Sequence, residues 1–245
     1  MMANVHSIET FSGVDGPGIR YVLFLQGCNM QCLYCHNADA ISQREAKLMT
    51  VEEIVEDFRH YQNFYQNGGG ITLSGGEPLL QVKFIIELFR LLKSEGVHTC
   101  IETQGSLFQN NAEIEELISL TDLFIVDLKG SDEGQAFSIS RCGIRRTLIF
   151  LNYLNQLNKK VIITYVLLPT LNDREKDCQQ LANILFQYND RNVSFKVLPY
   201  HRLGVHKWKD MGIEYTLDHI EEPTQLAVHE FLSKIRTYLL KQKSL

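Results

Sequence analysis

Six short apolar, β-branched runs alternate with longer segments of helical periodicity, and this alternation constrains the fold more than any other feature of the chain. The runs fall at residues 19–25, 70–73, 97–101, 123–128, 161–168 and 193–198. Candidate helices lie at 51–66, 80–94, 112–119, 145–158, 173–188 and about 224–241. In the first of these, Ile54, Val55, Phe58, Tyr61, Phe64 and Tyr65 recur at helical spacing, and Thr50 with Glu53 three residues on makes a capping box that opens it. Strands that alternate with helices imply a parallel sheet with right-handed crossovers. Six such units fit either an open doubly wound sheet or an incomplete barrel. No repeat, low-complexity block or Pro/Ser linker interrupts the pattern, so a single domain, 1–245, is expected. At 44% hydrophobic the chain can bury roughly three-quarters of the surface that it exposes unfolded.

The polar residues say what such a sheet is for. After the first run comes a cluster of cysteines, and after the second Ser74-Gly75-Gly76-Glu77-Pro78. The third ends in Glu102-Thr103-Gln104-Gly105, the fourth in Asp127-Leu128-Lys129, and the sixth in Pro199-Tyr200-His201. Each group falls at the C-terminal end of a strand, where barrel and open α/β enzymes collect their active sites. One concave site built from five loops is expected.

Charge excludes one class. A formal net charge of −5 leaves no basic excess to neutralise phosphates, which argues against a dedicated nucleic-acid binder. Residues 1–9 lack a basic n-region and an apolar h-region, and no apolar run is long enough to span a bilayer, so a soluble, cytoplasmic protein is expected. In a reducing compartment clustered thiols point to metal or redox chemistry rather than to a disulfide framework.

Three of the six cysteines form Cys28-x-x-x-Cys32-x-x-Cys35. Three thiolates on one loop can hold three irons of a four-iron cluster and leave the fourth iron open. A structural zinc site is the first alternative; adjacent Cys35 and His36 are hard to place on one tetrahedron. The second is c-type haem attachment, because Cys32-Leu33-Tyr34-Cys35-His36 fits that pattern, yet it leaves Cys28 unexplained. Cys100, Cys142 and Cys178 read as ordinary small core or surface residues.

Cys-x-x-x-Cys-x-aromatic-Cys, with Tyr34 as the aromatic, resembles the hallmark of the radical S-adenosylmethionine (SAM) superfamily. The run Gly13-Val14-Asp15-Gly16-Pro17-Gly18-Ile19-Arg20 resembles the signature of the activases of glycyl radical enzymes within it. Gln26-Gly27-Cys28, Cys35-His36-Asn37, Gly68-Gly69-Gly70, Ser74-Gly75-Gly76-Glu77, Asp127-Leu128-Lys129, Leu198-Pro199-Tyr200-His201 and Lys207-Trp208 are similar to motifs of that family, so the likeness extends over essentially the whole chain.

The resemblance implies an incomplete (β/α)6 barrel of the TIM-like, radical SAM type, with a [4Fe-4S] cluster on Cys28, Cys32 and Cys35. It implies a SAM site lined by Tyr34, Cys35, His36, Gly75, Gly76, Glu77, Glu102, Asp127, Leu128, Lys129 and His201. In it Tyr34 offers a flat face to adenine, His36 and Asn37 offer edge hydrogen bonds, and Gly75 and Gly76 let backbone approach SAM; the alternative for the glycines is a plain turn. Lys129 would meet anionic or hydroxyl groups, or else be a surface lysine. Asp15, Gly16, Gly18 and Arg20 would meet the backbone of a substrate peptide, or else pin a tight turn with a local ion pair. The implied partner is a glycyl radical enzyme of the pyruvate formate-lyase type, with an electron donor such as flavodoxin or ferredoxin, and without nucleic acid or membrane. An activase for another glycyl radical enzyme, or an enzyme acting on a small molecule, is the alternative. Two departures stand out. Thr164 occupies a position where the family leads one to expect arginine, for which Arg141, Arg145 or Arg146 would have to compensate. Glu102 stands in place of an aspartate that, with Thr103 and Asp127, would help bind a monovalent cation.

Overall fold

The structure, a computed structural model, describes residues 1–42, 46–188 and 190–244. Its strands are β1 (Met2–Ser12), β2 (Arg20–Leu25), β3 (Lys47–Thr50), β4 (Gly70–Gly75), β5 (His98–Thr103), β6 (Leu123–Asp127), β7 (Lys160–Leu167) and β8 (Val193–Pro199). Its helices are α1 (Val51–Tyr61), α2 (Val82–Ser94), α3 (Ala112–Leu120), α4 (Glu133–Ser140), α5 (Arg145–Gln156), α6 (Glu175–Leu185), α7 (Val205–Asp210) and α8 (Gln225–Lys243). The strand order β3-β1-β2-β4-β5-β6-β7-β8 is that of an open α/β sheet with edge strands β3 and β8. This agrees with the expected incomplete barrel. The six anticipated strands are β2 and β4–β8, while β1 and β3 are additions that the alternation does not announce.

Contacts divide the chain into two compact units, each described by itself. The first comprises Met1–Asn29 and Ala40–Ile125. Here β2, β4 and β5 are parallel, with Arg20 opposite Gly70 and Leu25 opposite Gly75. Helices cover a parallel sheet on its faces, so its strands carry apolar residues on both, and Tyr21, Val22, Leu23, Ile71 and Leu73 are buried. β1 is antiparallel to both β2 and β3. Ile54, Val55 and Phe58 of α1 and Phe84, Ile85, Leu88, Phe89 and Leu92 of α2 complete this core. The anticipated capping box is present: Glu53 N donates to Thr50 Oγ1 at 3.2 Å, and Thr50 N donates to Glu53 Oε2 at 2.7 Å. Such a cap stabilises a helix by about 1 kcal/mol.

The second unit comprises Met30–Asp39 and Val126–Leu245. β7 and β8 are parallel, pairing Val161 with Val193 and Leu167 with Pro199. Tyr165 of β7 stacks on Phe231 of α8 with ring centroids 6.0 Å apart. A core of Tyr34, Ile139, Leu168, Tyr200, Val205, Tyr215, Leu217 and Ile220 joins segment 30–39 to the region after β8. Among the described residues no helix is long and apolar enough to cross a membrane.

Candidate functional site

In the first unit β2 runs directly into the segment that carries Cys28. Its backbone is fixed residue by residue. Gln26 N donates to Asn4 O at 2.8 Å, Gly27 N to Ala40 O at 2.7 Å, and Cys28 N to Ile41 O at 3.1 Å. Gly75 and Gly76, at the end of β4, pack against the same segment. Gly75 has φ +105°, and a Cβ there would lie 2.5 Å from Leu25 N; on Gly76 a Cβ would lie 2.0 Å from Gly27 O. The pair is glycine because the chain's own backbone passes this close, a nearer reason than the expected approach of a ligand. Gly76 N and Glu77 N then donate to Leu25 O and Gly27 O, each at 2.8 Å.

The Glu77 side chain is buried and turned inward: Oε1 accepts from Leu79 N at 2.9 Å and Thr103 Oγ1 at 2.6 Å, and Oε2 accepts from Gln104 N at 3.1 Å. It ties the end of β4 to the turn after β5. The amides of that turn reach Asn29, since Gln104 Nε2 donates to Asn29 Oδ1 at 2.9 Å and Asn29 Nδ2 to Ser106 Oγ at 3.0 Å. Glu102 accepts from Ser74 Oγ at 2.5 Å.

Arg20 also lies inward. Its side chain is fully buried, with 0% exposure, and its donors face neutral acceptors. Nε donates to Thr72 Oγ1 at 2.9 Å, one terminal nitrogen to Ile71 O and His98 O, and the other to Pro17 O and His98 Nδ1. Burial lowers its pKa, with Cys100, Asp122 and Asp15 opposing. Thr72 passes the restraint on, donating to Asp15 O at 2.7 Å. Arg20 thus holds the loop from beneath and is not available to a partner's backbone, whereas Asp15 and Gly16 keep partial exposure and Gly18 is exposed. Gly18, at φ +64°, admits no Cβ because Gly69 N would lie 2.5 Å from it. The alternative of a local ion pair is also not what is found: Asp15 accepts from the Ser12 hydroxyl.

In the second unit segment 30–39 is clamped along its length. Gln31 N donates to Ser140 O at 3.0 Å and Leu33 N to Ile139 O at 2.9 Å, while Cys35 N closes a turn on Cys32 O at 3.1 Å. Trp208 Nε1 donates to Cys35 O at 2.9 Å, and Lys207 Nζ reaches Asn37 Oδ1 and Asp39 Oδ1, each at 3.0 Å. His36 and His201 lie ring on ring, centroids 3.7 Å apart, and His36 Nε2 donates to His201 O at 3.0 Å. Burial lowers the His36 pKa, opposed by that backbone bond. In the sequence Trp208 and Lys207 are visible only as parts of a motif; their contacts explain why they stand there.

At the end of β6, Asp127 and Lys129 are two residues apart and project to one side. Lys129 Nζ lies 3.2 Å from Asp127 Oδ2 and 5.6 Å from the centroid of the Tyr34 ring. Desolvation works against the ammonium, but Asp127 and Tyr34 hold its pKa well above the usual value. Tyr34 is itself buried in the apolar core, which raises its pKa. The free flat face expected for adenine is thus taken by Lys129 and core neighbours. Leu128 is buried, and its N donates to Thr164 O at 2.9 Å. The Thr164 hydroxyl donates to Asp127. Arg141, Arg145 and Arg146 are exposed. Glu102, Thr103 and Asp127, the expected cation ligands, each have protein partners.

Two features bear on cofactors. None of the described cysteines is in a disulfide; Cys32 is buried, and burial pushes it up to about 11, with Lys129 opposing. Among the described residues no three His, Cys, Asp or Glu side chains are arranged to hold one metal ion. A four-iron cluster does not ask for such convergence, since each thiolate owns a different iron. Secondly, His201 Nδ1 is buried without a hydrogen-bond partner. A buried polar atom left unpaired costs about 1–3 kcal/mol, so this ring nitrogen fits a polar ligand that completes it.

A family model described as the radical SAM superfamily matches residues 22–182. The pyruvate formate-lyase-activating enzyme of Staphylococcus epidermidis is 40% identical over 236 residues, 94% of each chain. The pyruvate formate-lyase 1-activating enzyme of Escherichia coli is 41% identical over 227 residues, 91% of each chain. The crystal structure of Streptococcus suis SuiB bound to S-adenosylmethionine matches with a TM-score of 0.64 at 16% identity, over 89% of this chain and 46% of that one, a likeness of fold.

Proposed function

The chain belongs to the radical SAM superfamily and, within it, to the pyruvate formate-lyase-activating enzymes, and on that premise we propose that it installs a glycyl radical on a partner of the pyruvate formate-lyase type. When bound, the [4Fe-4S] cluster and SAM supply the one-electron chemistry that takes a hydrogen atom from a glycine of the partner. The electron donor in this reading is a flavodoxin or ferredoxin, the setting is cytoplasmic, and the chain acts as one catalytic domain.

The chain's own residues do the rest. Cys28, Cys32 and Cys35 hold the cluster as thiolates and leave one iron for SAM. Backbone hydrogen bonds to Ala40 and Ile41 at Gly27 and Cys28, and to Ser140 and Ile139 at Gln31 and Leu33, hold the chain on either side of the cysteines. Glu77, through Thr103 and Gln104, positions the turns beside Cys28. His201 offers its unpaired Nδ1 to SAM, with His36 stacked behind it. Leu128 lines the site by its backbone, and Lys129, held by Asp127, fixes the Tyr34 ring. Glu102 and the glycine pair complete the SAM surroundings. Asp15, Gly16 and Gly18 face the partner's glycine loop, with Arg20 supporting them from below.

The observation that carries this reading is the loop of Cys28, Cys32 and Cys35, whose backbone is held by these hydrogen bonds. The test is anaerobic reconstitution with iron and sulfide, followed by SAM cleavage under a low-potential reductant with a short glycine-loop peptide. Cleavage that yields a peptide radical supports the function. Cleavage that depends on a small substrate and never on the peptide would assign the chain to another radical SAM activity.

A further inference from the structure

One fully buried carboxylate has no place in the chemistry above. Asp177, in the first turn of α6, has 0% exposure and four donors. Two come from its own helix start: Arg174 N at 2.9 Å and Arg174 Nε at 3.1 Å, both to Oδ2. The other two belong to the segment that follows β6. Gln135 Nε2 lies 2.9 Å from Oδ1, and Ser131 Oγ lies 2.8 Å from Oδ1 and equally 2.8 Å from Gln180 Oε1 of the same helix. Gln135 turns its oxygen to Ser131 N at 2.7 Å, so Ser131 is held through both its backbone and its side chain. The network continues to the end of β7, where Tyr165 OH meets Gln135 Oε1 at 3.2 Å and Asn172 O at 3.0 Å. Asn172 in turn bonds Leu168 N at 2.7 Å and Val166 O at 2.8 Å.

Lys129 sits inside this bracket. Two residues after it Ser131 is fixed on Asp177, and one residue before it Leu128 is fixed on Thr164. A charged acceptor in a dry site makes the stronger, shorter bonds, so Asp177 is the anchor of the network. A capping carboxylate alone would need only the Arg174 side. The two bonds to the Ser131 segment are superfluous for α6, yet they are the ones that order the strand end.

We infer that Asp177 is a positioning residue for SAM, acting through Ser131 and Gln135 to place the Leu128–Lys129 strand end. This rests on the function proposed above. The test is calorimetric titration of SAM into reconstituted protein, with iron content and the glycine-peptide KM measured alongside. Asp177→Asn and Ser131→Ala are expected to weaken SAM about tenfold, the scale of one charge-assisted hydrogen bond lost. Iron per chain and peptide KM stay within about twofold of wild type, and amide exchange of residues 128–132 accelerates. Arg174→Ala, which touches only the capping side, leaves the SAM affinity unchanged. Should Asp177→Asn fail to fold, Ser131→Ala decides. Wild-type SAM affinity in Ser131→Ala, or an equal loss in Arg174→Ala, would overturn the inference. Wild-type protein that takes up its cluster but no SAM would overturn the proposed function instead, and the inference with it.

Discussion

Thr164 donates its hydroxyl to the carboxylate of Asp127 and accepts, on its backbone oxygen, the amide of Leu128 at 2.9 Å. One buried threonine on β7 therefore fixes both the backbone and the acid at the end of β6. At the position where the family resemblance leads one to expect arginine, Thr164 and Lys129 both meet the Asp127 carboxylate, one through a hydroxyl and the other through its charge.

An arginine at this position should therefore harm. Thr164 is 4% exposed, and the longer side chain has to displace packed neighbours and crowd Lys129. Thr164→Arg is expected to lose about 1–3 kcal/mol of stability and to weaken SAM binding. Urea unfolding and calorimetric titration measure both; a gain in affinity would contradict this expectation.

Arg20 is expected to act on stability first. Replacing it with Met leaves Ile71 O and His98 O without their donor inside a closed core, at a cost of at least about 2 kcal/mol. Arg20→Lys keeps the charge but loses the planar fork, and recovers only part of that. A shift of the urea midpoint shows this directly. Unchanged stability together with lost peptide affinity would return Arg20 to the role of a direct peptide contact.

His98 gives the first unit a pH dependence. Burial and, next, the Arg20 charge lower its pKa from the ordinary 6.5, with Asp122 opposing. Arg20 donates to Nδ1, so a proton there meets another cation's hydrogens. The folded state resists protonation more than the unfolded one. Stability is complete above about pH 6.5, falls as pH drops below it, and levels off beneath the folded value. Unfolding midpoints between pH 8 and pH 5 should fall further in wild type than in His98→Gln. Parallel curves would show that His98 does not titrate between the two states.

Much of the fold is legible in the sequence, for physical reasons. Strands β2, β4 and β6 are buried along nearly their whole length and so stand out as apolar runs, and the Thr50–Glu53 cap needs no tertiary context. β1 escapes notice because most of its residues are polar and only partly buried, and β3 because four residues carry no period. α4, with Gly134 and two serines among its eight residues, shows little helical signal beyond its Asp132 cap. The cysteine loop and the strand-end acids are visible as residue types. What burial does to them is not. Arg20 and Glu77 read as ligand or partner contacts in the sequence and gain inward partners only in the fold, and the glycine pair reads as a ligand approach or a plain turn until Leu25 and Gly27 are found against it.

The cluster cysteines separate from the other three by experiment. Ala at Cys28, Cys32 or Cys35 should abolish the low-temperature EPR of the reduced cluster and SAM cleavage together. Ala at Cys142, or at the buried Cys100 and Cys178, should leave the spectrum intact, with a packing cost under about 2 kcal/mol. Full iron content in a Cys32→Ala variant would sink the ligand assignment.

The proposed function turns on the transfer of a hydrogen atom from a glycine of the partner. Its most direct test mixes reconstituted protein, SAM, a low-potential reductant and pyruvate formate-lyase in the absence of oxygen, and records EPR and 5′-deoxyadenosine together. A glycyl-radical doublet should grow in step with 5′-deoxyadenosine, and none should form with Cys28→Ala protein. SAM cleavage without a protein radical on pyruvate formate-lyase, under conditions in which another glycyl radical enzyme does acquire one, would contradict it.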